Sequence, residues 1–166
     1  TNTPLHRRSL CDEIGPWRDL WNEEDWEYEA RAAALWTRLC FCHNFLSVTR
    51  SHAPDQHLCH QGTTDPAKLR DRAKAHELIL GHAQMAGIRV DQPEMQHFAR
   101  ELFLLSRQCG AAGLSDEAMR LFKLARCASM PERSKGWDFR LYAMAARILG
   151  WDRMGRLACF LDHLRP

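Results

Sequence analysis

The stretch Pro93-Glu94-Met95-Gln96-His97-Phe98-Ala99-Arg100-Glu101-Leu102-Phe103-Leu104-Leu105-Ser106-Arg107-Gln108-Cys109-Gly110 decides the fold class. Met95, Phe98, Leu102, Leu105 and Cys109 recur at alternating steps of three and four. That is the period of an α-helix with one buried face. Pro93 suits the first helical turn, where its missing N–H costs nothing. The glycines from Gly110 to Gly113 close the helix.

The same grammar repeats on both sides. Asp65-Pro66 reads as a cap followed by a first-turn proline. The helix it opens extends to about Ala86, with Leu69, Ala73, His76, Leu80 and Ala83 on one face, and Gly87 ends it. Ser115-Asp116-Glu117 caps a helix carrying Leu121, Leu124, Ala125 and Ala128. Pro131 starts another, with Phe139, Tyr142, Ala145, Ala146 and Leu149, broken by Gly150. Asp152 caps the last, with Met154, Leu157, Leu161 and Leu164. Trp137 and Trp151 are expected to anchor the resulting hairpins. The turns at Gly113-Leu114-Ser115-Asp116 and Gly150-Trp151-Asp152 are offset by about 36 residues, near the tetratricopeptide spacing. Residues 65–166 are therefore expected to form a helical domain, a long helix followed by two tetratricopeptide-like hairpins.

Residues 1–60 differ in character. They hold four of the six tryptophans, Trp17, Trp21, Trp26 and Trp36. Arg7 to Ile14 reads as a short helix stopped by Gly15-Pro16. Glu23 to Trp36 reads as a second helix with its acids in the first turn, where the helix dipole favours them. Its inward face is expected to carry Trp26, Ala30, Ala33 and Ala34, with Arg31 on another face. Leu39 to Thr49 is a strand candidate, and residues 51–64 are a polar loop. The whole is expected to be mainly α, with a small α/β-like N-terminal piece before the helical-hairpin bundle.

Composition narrows the function classes. The 166 residues are 45% hydrophobic and 27% charged, with a net charge of +2. Acids and bases are interleaved, which argues against a nucleic-acid partner. No apolar run approaches the roughly 18–20 residues of a transmembrane helix. Seven cysteines at irregular spacing, Cys11, Cys40, Cys42, Cys59, Cys109, Cys127 and Cys159, fit reduced, buried thiols in a cytoplasmic protein. Cys40, Cys42, His43, His52, His57, Cys59 and His60 crowd together. Cys40 and Cys42 are too close for the usual zinc-ligand pair, so buried thiols on a strand and a polar loop are the preferred reading and no metal ligand is assigned.

Glu23, Glu24, Asp25, Glu27 and Glu29 place five carboxylates around Trp26 and Tyr28. One reading is a solvated acidic first turn. The other is a carboxylate in a partly dry, aromatic cleft, raised in pKa and fit to act as a base. The order of His6-Arg7-Arg8, Ile14-Gly15-Pro16-Trp17, Glu24-Asp25-Trp26, Arg31, Phe45-Leu46 and Arg50-Ser51-His52 favours the second. Over about residues 1–55 it resembles the acceptor-side part of bacterial family 2 glycosyltransferases of the GT-A type.

The resemblance implies a single displacement with inversion at the anomeric carbon of a nucleotide-sugar. Asp25 would be the general base toward an acceptor hydroxyl, and Glu24 would orient it or the acceptor. Trp26 would line the pocket for a saccharide or lipid-linked acceptor. Arg50 and His52 would sit near the donor diphosphate, where a cation offsets leaving-group charge. Arg31 is expected to hold its helix in place through a carboxylate. The family also implies a divalent metal, Mg or Mn, on an Asp-x-Asp motif that this chain lacks. The chain is thus expected to be one part of a larger enzyme and inactive alone. The alternative is a non-enzymatic helical protein–protein interaction module. Apolar edges left uncovered in either case leave self-association open.

Overall fold

The computed structural model describes residues 4–40, 43 and 65–163. Eight helices and no strand form among them: α1 Arg8–Ile14, α2 Glu24–Ala34, α3 Pro66–Met85, α4 Pro93–Ala111, α5 Ser115–Ala128, α6 Pro131–Ser134, α7 Trp137–Leu149 and α8 Trp151–His163. The protein is mainly helical, as the periodicity implies. Among the described residues the N-terminal part supplies α1 and α2 and no α/β element. Of the expected strand, Leu39, Cys40 and His43 are described and carry no regular structure; its other residues lie outside the described ones.

Local chemistry sets the helix ends. The Asp65 carboxylate accepts the Ala67 N–H at 2.9 Å, capping α3. After α4, Leu114 N–H donates to the Cys109 carbonyl at 2.8 Å and Gly113 N–H to the Gly110 carbonyl at 2.9 Å. Gly113 sits at φ 83°, the left-handed region where a Cβ would be strained. The single helix expected from Pro131 to Leu149 is instead two, α6 and α7. Gly136 interrupts it with extended backbone, and the Gly136 N–H turns back to the Arg133 carbonyl at 2.8 Å.

The core lies among α3, α4, α5, α7 and α8. α4 is its centre, packed on α3, α5 and α8. Leu69, Leu102, Leu105, Leu121 and Phe139 are buried, and Phe103, Phe122, Phe139, Tyr142 and Trp151 form a connected aromatic cluster. Trp151 thus anchors its hairpin as expected. Trp137 does not, because the packed face of α7 runs through Phe139, Tyr142 and Ala146 and leaves Trp137 on the outside.

α4 and α8 cross through glycine. A Cβ on Gly155 would lie 2.5 Å from Ala111 N and 2.7 Å from the Arg107 carbonyl oxygen, and one on Gly110 would lie 2.5 Å from the Trp151 carbonyl oxygen. The opposing atoms are backbone, so a side chain can be admitted only by moving a helix. Gly155→Ala is expected to destabilise the fold by about 2–3 kcal/mol. Urea unfolding would read this as a lower midpoint, and an unchanged midpoint would contradict the tight crossing.

Cys109 lies fully inside this core, and burial pushes its thiol up to about 12, ahead of the nearby Glu117 charge. Because the folded state favours the protonated thiol, its stabilisation is full below the ordinary value near 9 and is lost as pH rises toward about 12. Cys40 and Cys127, expected to be buried, are instead exposed, Cys40 beyond the end of α2 and Cys127 on the outer side of α5. Iodoacetamide at pH 8 is expected to label both in the native protein and to spare Cys109 until the chain unfolds.

Candidate functional site

α2 carries the acidic run, and the structure sorts its carboxylates into two groups. Glu27 is fully buried. Its Oε2 accepts from Arg31 Nη2 at 3.1 Å, its Oε1 accepts from His82 Nε2 at 2.9 Å, and Arg18 Nε lies 3.9 Å away. Arg31 also donates to the Ile14 and Pro16 carbonyls at 3.0 Å each. One guanidinium therefore ties α2 to the end of α1, and Arg31 holds its helix through a carboxylate as expected. The other side of Glu27 ties α2 to α3.

Glu23, just before α2, forms the second tie. Its Oε1 accepts from Arg72 Nε at 2.6 Å, and its Oε2 lies 2.8 Å from His76 Nδ1. His76 Nδ1–H donates to the Arg72 carbonyl at 3.1 Å, and the ring stacks on Phe98 with centroids 5.3 Å apart. Arg72 reaches on to Gln108 of α4 at 3.4 Å. Glu23 itself adopts φ 60°, ψ 23°. Left-handed backbone costs an L-residue on the order of 1–2 kcal/mol, and here the Arg72 ion pair and the His76 contact on α3 hold it. Trp21 N–H adds a hydrogen bond to Asp71 at 3.1 Å.

These ties set the rotation of α2. The buried face runs through Glu27, Tyr28 and Ala32, with Ile14 packed beside them. Trp26, Ala30, Ala33 and Ala34 were expected there; at about 100° per residue the observed face lies on roughly the opposite side of the helix. The reason is that Glu27 turns inward, where Arg31 and His82 hydrogen-bond its carboxylate. Trp26 is consequently half-exposed, and Asp25 and Glu24 are half-buried in the first turn. The Asp25 carboxylate accepts the Trp26 N–H at 2.9 Å. Trp17 stacks on Tyr28 with centroids 4.6 Å apart, while Trp21 and Trp36 are largely exposed.

No protein family, curated protein or solved structure that was compared matches this chain. Asp25, Glu24 and Trp26 share the first turn of α2. Arg50 and His52 lie outside the described residues, as do Cys42, His52, His57, Cys59 and His60 of the Cys/His segment. Among the described residues no three His, Cys, Asp or Glu side chains meet in a way that could hold a metal ion, and no helix is long and apolar enough to cross a membrane. A shallow hollow of about 250 Å³ lies on α5 and α6, lined by Lys123, Arg126, Cys127 and Ser134.

The sequence singled out Glu23 and Glu27 only as members of the acidic run; their pairing with Arg72 and His82 was missed. The i,i+4 spacing of Glu27 and Arg31 was the available local signal. The partners on α3 lie about fifty residues away and leave no such trace.

The two groups of carboxylates are separable by mutation. Glu27→Ala strands Arg31 and His82 and is expected to cost about 3–5 kcal/mol. Asp25→Asn keeps an oxygen for the Trp26 N–H and is expected to cost about 1 kcal/mol or less, well below Glu27→Ala. Equal shifts in the two unfolding midpoints would remove the distinction.

Proposed function

We propose that this chain is the acceptor-side part of an inverting, nucleotide-sugar-dependent glycosyltransferase, with Asp25 as general base. The observation that supports this most is the division of labour in the acidic run. Glu23 and Glu27 lock α2 onto α3 and α1. That lock leaves Asp25 and Trp26 together at the outer side of the first turn, on a rigid helix. Trp26 keeps half of its ring surface, which suits stacking on the apolar face of a sugar. Four tryptophans within residues 17–36, Trp17, Trp21, Trp26 and Trp36, are half or more exposed. Large exposed aromatic surface marks an interaction site, and here it is consistent with an acceptor and with a second, donor-binding half.

In this reading, the acceptor hydroxyl gives its proton to the Asp25 carboxylate as its oxygen bonds to the anomeric carbon. The bond to the nucleoside diphosphate breaks on the opposite face. Glu24 orients Asp25 or the acceptor. Arg50 and His52 are assigned to the donor diphosphate by resemblance. The divalent metal implied by the resemblance finds no ligand set among the described residues, and no step is routed through it. The rival reading, a helical interaction module, draws on a different feature, the apolar outer face of α7.

The test uses the polypeptide in which this chain is joined to a donor-binding half. Asp25→Asn is expected to lower kcat by about 10²–10⁴, with donor KM little changed and the unfolding midpoint preserved. Unchanged kcat would take Asp25 out of the base role. Turnover of a nucleotide-sugar by the 166-residue chain alone would overturn the assignment of this chain to the acceptor side only.

A further inference from the structure

α7 is apolar on two opposite faces. One packs inward through Phe139, Tyr142 and Ala146. The other carries Trp137, Leu141, Met144 and Ile148, exposed by 76, 52, 55 and 76%. A helix apolar on both sides is normally covered on both sides. The outer residues are spaced by four, three and four. That is the d-a-d-a order of a coiled-coil seam, a narrow ridge that fits between the side chains of one further helix. A bilayer surface calls for a broader apolar face flanked by exposed polar positions, and the opposite side of α7 is already committed to the core.

The flanks of the ridge are charged unevenly. Arg140 and Arg147 lie along one side, at the positions that pair with a partner's flanking charges. Both are exposed, and neither forms an ion pair with the described residues. Lys135 lies exposed just before the helix and adds to the positive end. On the other side, Ala145 is neutral, and Asp138 uses its carboxylate on the Phe139 N–H at 2.9 Å in the first turn of α7. An antiparallel second copy would set Arg140 and Arg147 against their own counterparts, like charge against like. An acidic flank would satisfy both.

We infer that the outer face of α7 docks an amphipathic helix of another protein, with an apolar seam against Trp137, Leu141, Met144 and Ile148 and Asp or Glu side chains against Arg140 and Arg147. This goes beyond the transferase reading and stands or falls separately from it, since the face belongs to α7 and the acidic run to α2.

The probes are two synthetic three-heptad peptides with the same Leu seam, one with Glu and one with Lys at the flanking positions. Binding is read from Trp137 emission, with Trp137→Phe as the control for the other tryptophans, and from calorimetry. The Glu peptide is expected to bind about tenfold more tightly than the Lys peptide, and to weaken as salt rises. Arg140→Glu with Arg147→Glu is expected to reverse the preference, and Ile148→Asp to abolish binding. All three positions are exposed, so these variants keep the fold. Equal binding of both peptides would overturn the acidic partner while leaving the transferase reading intact. Binding of neither peptide would overturn the docking face. Dimerisation abolished by Ile148→Asp, or stronger association with phosphatidylserine vesicles than with the Glu peptide, would assign the face to a different occupant and also overturn the inference.

Discussion

The Glu27 carboxylate has no solvent-accessible surface, and much of the N-terminal architecture follows from that. A buried charge is tolerated only when it is paired and hydrogen-bonded. Glu27 meets the requirement by drawing Arg31 from its own helix, His82 from α3 and Arg18 from the preceding loop. Arg31 can serve only if the end of α1 offers its carbonyls, which fixes α1 as well. The small apolar cluster of Ile14, Tyr28 and Ala32 could not hold these elements unaided. The charged contacts supply the orientation that so few apolar side chains leave undetermined.

Glu23 extends the arrangement in a costlier form. It has left-handed backbone while its side chain engages Arg72 and His76. The strained residue stands immediately before Glu24 and Asp25. The chain turns sharply there, so that Glu23 points at α3 while the next residues begin the helix on a different heading. Arg72 then passes the constraint to Gln108 on α4, the helix at the centre of the larger core. The first turn of α2 is thus referenced, through the Glu23–Arg72 ion pair and the Gln108 amide, to the best-packed part of the protein.

The sequence revealed what is local. Asp65 caps α3, Gly113 ends α4 and Gly15 ends α1 because each acts within a few residues of itself. The inward face of α4 follows from its periodicity for the same reason. The rotation of α2 was not legible. Hydropathy favoured Trp26 over Glu27 as the inward residue, and the partner that reverses this, His82, is 55 residues away. Gly136 divides the helix expected after Pro131, although a lone glycine inside a helical pattern is often tolerated. The outer ridge of α7 was hidden differently. Its apolar residues interleave with the inward ones, so the pattern reads as one thick hydrophobic helix until the packing separates the two faces. As for the candidate site, the sequence singled out Asp25 and Trp26, and it did not distinguish them from the structural acids on either side.

The protein therefore exposes two kinds of apolar surface that the same physics treats differently. Around α2 the exposed groups are tryptophans, amphipathic rings suited to sugars and to polar interfaces. They accompany acids and lie on a part of the chain whose own core is small. Along α7 the exposed groups are mostly aliphatic, regularly spaced and bordered by arginine, on a helix whose other face belongs to the main core. The first surface gives chemistry and shape with little periodic order. The second gives a straight register and little chemistry. A single partner helix could match only the second, and a saccharide only the first. The two proposed roles accordingly occupy different elements, and α3 and α4 are the structural link through which both are held in one fold.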